Sequence, residues 1–166
     1  QHRQARIIEF PATLGTFAQA FANTMPFSEA IGFIADVDEE NPKAVDYPFS
    51  VVSHEMAHQW WAHQVIGADV KGATMLSESL SEYGSLKILE KKYGRGQMHK
   101  FLKDALDSYL KGRTYEWKEE NSLMHNENQQ YIHYNKGSLV MYAMSEFLGE
   151  KNFNNILALF IKQKAF

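Results

Sequence analysis

The sequence predicts an α+β fold, in which a small antiparallel sheet on the N-terminal side precedes a mainly helical part. Short strand-like runs are confined to residues 1–36, whereas helical periodicity dominates residues 44–166. The 166 residues suffice for one domain, and 45% hydrophobic with 22% charged residues is typical of a globular protein. We therefore expect a single domain over residues 1–166. Its last helical pattern has no stop signal, so we expect it to be a fragment of a longer protein.

The predicted sheet consists of three short runs rich in isoleucine and phenylalanine, at residues 6–10, 17–22 and 30–34. Turn residues separate these runs, because Pro11 and Gly15 follow the first one and residues 23–26 read Asn-Thr-Met-Pro. Short strands joined by turns of this kind favour antiparallel pairing.

The helical part begins with a His-Glu-x-x-His motif that runs from His54 to His58. On a helix, positions i and i+4 lie on one face, so the two histidines can bind one divalent metal ion between them. Glu55 is rotated by about 100° and can reach a water beside the metal as a general base. Asp46 and Pro48 form a start signal ahead of the motif. These features predict a metal site on a helix.

Glu78 is the predicted third ligand, and it lies on a second predicted helix at residues 74–83. Two histidines and one glutamate leave the fourth position of a tetrahedral zinc ion open for water, which is the catalytic pattern. Glu82 follows one turn later, where it can accept the second ring N–H of a ligating histidine. His63 lies five positions beyond His58, off the ligand face, and we interpret it as structural. We predict one zinc ion per chain.

Further helices are predicted from the spacing of apolar residues, over residues 98–110 and 139–148, with a last one starting at residue 153. Gly112 is expected to end the first of them. Residues 112–133 form a polar, acidic connection that is longer than a compact domain usually tolerates. This length predicts either a functional loop or a mobile one.

Composition and charge exclude several kinds of partner. The net charge is −3 and no basic stripe is present, so nucleic acid is not expected to bind. No apolar run approaches the roughly 18 residues that cross a bilayer, so we expect no membrane contact by this segment. The chain has no cysteine, which excludes a disulfide and a thiolate metal site.

Three motifs together resemble the zinc aminopeptidases typified by aminopeptidase N and leukotriene hydrolase, which are gluzincins. They are the His54–His58 motif, the Leu76-Ser77-Glu78 stretch and Tyr134-Asn135-Lys136-Gly137. The resemblance covers roughly residues 25–150 and implies a thermolysin-like catalytic domain, with a small sheet beside a mostly helical half. It also implies that Tyr134 donates a hydrogen bond to the oxyanion. Without the resemblance, a tyrosine at the start of a helix is usually a packing residue.

The family also carries a Gly-x-Met-Glu-Asn strand, whose glutamate binds the free amino group of the substrate. The matching residues 26–30 read Pro-Phe-Ser-Glu-Ala, so only the glutamate, Glu29, is kept. The resemblance implies that Glu29 binds the substrate N-terminus. The departures around it leave open a thermolysin-like endopeptidase, in which Glu29 is structural.

Residues 25–29 and 53–61 look like the peptidase segments that some bacteria fuse to multi-span, transporter-type membrane proteins. This resemblance implies a membrane-anchored parent protein, whose missing domains complete the substrate site. The expected function is removal of N-terminal residues from peptides, with Glu55 as general base. The alternatives are an endopeptidase and a zinc-bearing interaction module without turnover.

Overall fold

The computed structural model describes residues 4–15, 17–38 and 40–166, and in these residues a two-stranded sheet precedes six α-helices. The strands are β1 (Arg6–Phe10) and β2 (Thr24–Ser28). The helices are α1 (Glu29–Gly32), α2 (Tyr47–Ala57), α3 (Leu80–Tyr93), α4 (Met98–Tyr115), α5 (Gly137–Leu148) and α6 (Glu150–Lys164). Two π-helical segments, Met75–Ser79 and Tyr131–Lys136, lead into α3 and α5. The α+β class, with a small N-terminal sheet and a mainly helical remainder, is confirmed.

The direction of strand pairing differs from the prediction, because β1 and β2 are parallel. The residues before β2 bridge to it in antiparallel fashion, at Ala18↔Phe27 and Phe21↔Thr24. A tight turn at Asn23, which has a φ of 63°, reverses the chain between them. The segment before the turn therefore occupies one edge of β2, and β1 pairs with the other edge in the parallel sense. Residues 17–22 form isolated bridges rather than the predicted strand.

The predicted strand at residues 30–34 is also wrong, because this region begins with the short helix α1. The backbone N–H groups of Phe33 and Ile34 both donate to the Glu29 carbonyl and close the turn. Gly32 lies directly against the Phe27 ring, and a Cβ there would come within 2.4 Å of the ring. The strand itself lies earlier, over residues predicted as a turn, and buries Met25 and Phe27.

Helices α2 and α3 pack closely because small residues face each other between them. A Cβ on Gly84 would lie 3.0 Å from the Ala57 Cβ. The Ser85 hydroxyl donates to the Ser50 carbonyl at 2.9 Å. Because α2 and α3 approach each other closely, side chains from both helices meet near the C-terminal end of α2.

Two apolar clusters hold the helices together. The buried members of the first are Ala57, Trp61, Val65, Leu80, Tyr83, Met141 and Phe153. Those of the second are Leu86, Leu89, Met98, Phe101 and Tyr142. No helix in the described part of the chain combines the length and apolarity needed to cross a membrane.

The connection after α4 begins later in the chain than the sequence predicts. Helix α4 continues past Gly112 to Tyr115. Gly112 is needed for packing, since a Cβ there would lie 2.4 Å from the Tyr131 Cβ. Further along the connection, the Glu120 carboxylate accepts hydrogen bonds from Tyr109 and Lys136. The middle of the connection is thereby attached to the helices on both sides of it.

The N-terminus of α2 is capped by Asp46, as the start signal predicts. Its carboxylate accepts the Phe49 N–H at 3.0 Å and the Lys92 ammonium at 2.8 Å. The Tyr93 hydroxyl donates to the same carboxylate. Burial raises the pKa of Asp46, but the bonds from Lys92, Tyr93 and Phe49 outweigh burial and lower the pKa overall.

We expect Asp46→Ala to lower the free energy of unfolding by about 1 kcal/mol, because the helix loses its cap. The folded-state pKa lies below the unfolded value of about 3.9. The carboxylate's contribution is therefore present above about pH 4 and is lost as the pH falls through the folded-state pKa. Urea denaturation at several pH values measures this difference. Exposed Asp69 supplies the control Asp69→Ala, and an equal effect of both variants would contradict the capping role.

Candidate metal centre

One cavity collects side chains from α2, from the two π-helical segments and from the sheet region. His54 and Glu55 lie near the end of α2, and His58 caps its C-terminal end. Glu78 comes from the first π-helical segment and Tyr134 from the second. The cavity has a volume of about 430 Å³ and is lined by Ala18, Gln19, Ala20, Phe21, His54, Glu55, His58, Ala62, His63, Glu78 and Tyr134.

The predicted ligands His54, His58 and Glu78 converge on one point. The Nε2 atoms of His54 and His58 lie 3.3 Å and 3.5 Å from the same carboxylate oxygen of Glu78. One donor atom from each residue lies within 4.8 Å of the others, so the group could hold a metal ion. Tetrahedral zinc with bonds of 2.0–2.1 Å places its donors about 3.3–3.4 Å apart. The donor types and their spacing therefore fit zinc, with one position left for water.

The opposite ring nitrogen of each histidine lies close to oxygen atoms. His58 Nδ1 lies 2.9 Å from the Trp61 carbonyl oxygen and 3.0 Å from the Ser81 hydroxyl. His54 Nδ1 lies 3.0 Å from a Glu82 carboxylate oxygen, an ion-pair contact that departs from the N–H direction. A proton on Nδ1 of each ring would leave Nε2 free to bind a metal ion in place of its contact with Glu78. Glu82 thus lies beside the second ring nitrogen of His54, but the predicted hydrogen bond between them is not formed.

Carboxylates dominate the electrostatics of the cavity. Burial lowers the pKa of His54, but Glu82 and Glu78 outweigh it and raise the pKa to about 10. Burial raises the pKa of Glu78, but hydrogen bonds from His54 and His58 lower it overall. Three carboxylates, including that of Glu55, surround two imidazoles, and this excess of negative charge suits a divalent cation.

Glu55 and Tyr134 line the cavity beside the ligand atoms. Glu55 is only 7% exposed, and burial raises the pKa of its carboxyl although His54 and His58 oppose the shift. The Tyr134 ring centroid is 5.8 Å from that of His54. Burial, together with the charge of Glu78, raises the pKa of Tyr134, so its phenol stays protonated as a hydrogen-bond donor. The site thus offers a proton acceptor and a proton donor next to the metal ligands.

The two π-helical segments are packed directly on each other. The Ser79 hydroxyl donates to the His133 carbonyl at 2.7 Å, and a Cβ on Gly137 would lie 2.1 Å from that hydroxyl oxygen. This close contact holds the backbone next to Glu78 against the backbone next to Tyr134. The His133 ring is buried, and its Nδ1 lies 2.7 Å from the Asn126 amide nitrogen. π-Helical turns occur frequently at functional sites.

The cavity wall includes residues that sequence reasoning missed. His63, interpreted as structural, lines the cavity, and its Nε2 lies 3.1 Å from the Ala20 carbonyl oxygen. Gln59 donates to the Phe21 carbonyl at 3.0 Å and so attaches the same segment. Ala62 has a φ of 118°, so the chain has left the helix before His63. The helical projection that directed His63 away from the ligands therefore does not apply to it.

Glu29, the predicted binding residue for the substrate N-terminus, does not line this cavity. It begins α1 and is half-buried, and its carboxylate accepts the Ala12 N–H at 3.3 Å. The structure therefore brings together His54, Glu55, His58, Glu78, Glu82 and Tyr134 but leaves Glu29 apart from them.

We expect Glu82→Ala to weaken zinc binding by about 10- to 100-fold, because His54 loses the acceptor that orients its ring. Competition with a chelator measures the affinity. Glu82→Gln keeps an acceptor oxygen and should lose less. Unchanged affinity in Glu82→Ala would show that the carboxylate plays no part in holding the ligand.

Comparison with known proteins finds a family and a similar solved structure. The profile of the Peptidase family M1 domain matches residues 22–166. An M1 zinc metallopeptidase from Deinococcus radiodurans, solved as a mutant bound to a Tyr-Ser-Ala substrate, matches with a TM-score of 0.64 and 19% identity. The match covers 96% of this chain and 32% of that one, so the chain spans about a third of that protein's length. Curated proteins gave no significant match.

Proposed function

Because the chain belongs to peptidase family M1, we propose that it hydrolyses peptide bonds with one bound zinc ion and removes residues from peptide N-termini. The observation that supports this most directly is the convergence of His54, His58 and Glu78 donor atoms in one cavity. The buried carboxylate of Glu55 lies beside them. The substrate would be a peptide.

The metal ion and the protein side chains would perform different parts of the reaction. Zinc held by His54, His58 and Glu78 would lower the pKa of a water molecule and polarise the scissile carbonyl. Glu55 takes the proton of the attacking water and returns it to the leaving amine. The Tyr134 hydroxyl donates a hydrogen bond to the carbonyl oxygen as negative charge develops there.

The specificity for N-termini rests on the family match and on Glu29. The resemblance assigns to this glutamate the binding of the substrate's free ammonium, a charge-assisted hydrogen bond. A fixed ammonium would place the scissile bond one residue from the N-terminus. The second candidate is an endopeptidase, and the contact of Glu29 with Ala12 away from the cavity favours it.

We expect Glu29→Ala to raise KM and lower kcat/KM for peptides with a free N-terminus, because the ammonium contact helps position the scissile bond. Cutting of N-acetylated peptides should be unaffected. Exposed Glu9 supplies the control variant Glu9→Ala. Equal losses on free and acetylated peptides, or faster cutting of acetylated peptides by the parent, would favour the endopeptidase.

A further inference from the structure

A second cavity, of about 350 Å³, adjoins the catalytic one. The two share Tyr134, and Glu82, which contacts His54, lines the second. A substrate residue next to the scissile bond could therefore place its side chain there. Tyr47 also lines this cavity and is 54% exposed, so the cavity extends from Glu82 and Tyr134 towards solvent.

The walls of this cavity combine apolar and polar side chains, and its charged groups are all negative. Val51, Leu86, Phe101 and Ala105 contribute apolar surface from α2, α3 and α4. Asp104 and Glu82 are the charged groups, and no lysine, arginine or histidine occurs among the described residues that line it. Such a cavity disfavours an acidic side chain and suits a cation.

Asp104 differs from Glu82 in having no cationic partner. Glu82 contacts His54, whereas Asp104 forms no ion pair within the described residues. Its two carboxylate oxygens accept the Tyr47 hydroxyl at 3.0 Å and 3.1 Å. Burial and the charge of Asp104 raise the pKa of Tyr47 to about 12, so the phenol remains a donor. One turn along α4, exposed Asp107 is instead paired with Lys103.

A cavity that offers apolar side chains and a carboxylate without a cationic partner matches an aliphatic stem with a cationic head. Arginine fits best, because its planar guanidinium can donate two parallel hydrogen bonds to a carboxylate. We propose that this cavity receives the side chain of a substrate residue flanking the scissile bond and that Asp104 selects arginine or lysine there. This inference rests on the proposed peptidase function.

Two peptide series test the proposal with the zinc-loaded chain. They place arginine, its neutral isostere citrulline, leucine or glutamate either before or after the scissile bond. We expect kcat/KM to favour arginine over citrulline by roughly 5- to 10-fold at one of these positions, since Asp104 is partly exposed. Asp104→Asn should abolish this preference. Asp107→Asn makes the same charge change outside the cavity and should preserve the preference.

Binding to the zinc-loaded Glu55→Gln protein, measured by calorimetry, separates this proposal from the activity. If the parent protein hydrolyses no peptide, the proposed function is wrong. Tighter binding of arginine peptides than of citrulline peptides, lost in Asp104→Asn, would still support the subsite. Equal binding of arginine and citrulline peptides would overturn the subsite even in an active peptidase. A preference that survives in Asp104→Asn would overturn it as well.

Discussion

The Glu55→Gln variant should bind zinc like the parent and lose about 10²- to 10⁴-fold in peptide hydrolysis. The amide keeps the size of the carboxylate but cannot accept the proton of the attacking water. Glu55 lies outside the group of donor atoms that could hold the metal, so the ligand set stays intact. Steady-state kinetics on amino-acid amides, together with metal analysis of the same sample, measures both properties.

The control for this variant is Glu119→Gln, the same chemical change at an exposed glutamate. It should leave turnover at the parent level. Retained turnover in Glu55→Gln would assign the general base to another residue. Measurable hydrolysis by the parent would also exclude the interaction module without turnover.

The His58→Ala variant should lose zinc binding by more than about 100-fold. Removing a partner of a ligand costs about 10- to 100-fold in affinity, so removing the ligand itself should cost more. His58 is buried and contacts the Trp61 carbonyl and the Ser81 hydroxyl. Within the described residues, only His54 joins it and Glu78 in the group that could hold a metal ion. Elemental analysis after zinc exposure and chelator competition measure the loss.

The matched control is His99→Ala, at an exposed position on α4. Circular dichroism of the metal-free variants separates a lost ligand from a lost fold. If His58→Ala bound zinc as tightly as the parent, the proposed metal site would be wrong, and the proposed peptidase mechanism with it.

The elements that sequence reasoning located correctly are those specified by neighbours along the chain. The cap at Asp46 and the i, i+4 spacing of His54 and His58 depend only on the geometry of one helix. The spacing of Glu78 and Glu82 is also local, although Glu78 lies in a π-helical segment and Glu82 in α3. The relation of Tyr134 to these residues is not local, and only the resemblance to a family predicted it.

The sequence alone thus determined the α+β class, the helix of the metal motif and the residue types that suit a zinc ion. Tertiary structure decided the parallel pairing of β1 with β2, because the turn at Asn23 assigns each edge of β2 to a different segment. It also placed His63 on the cavity wall, where the chain leaves the helix at Ala62. The cavity that contains Asp104 joins segments far apart in sequence. Such contacts depend on packing between elements, and no local periodicity encodes them.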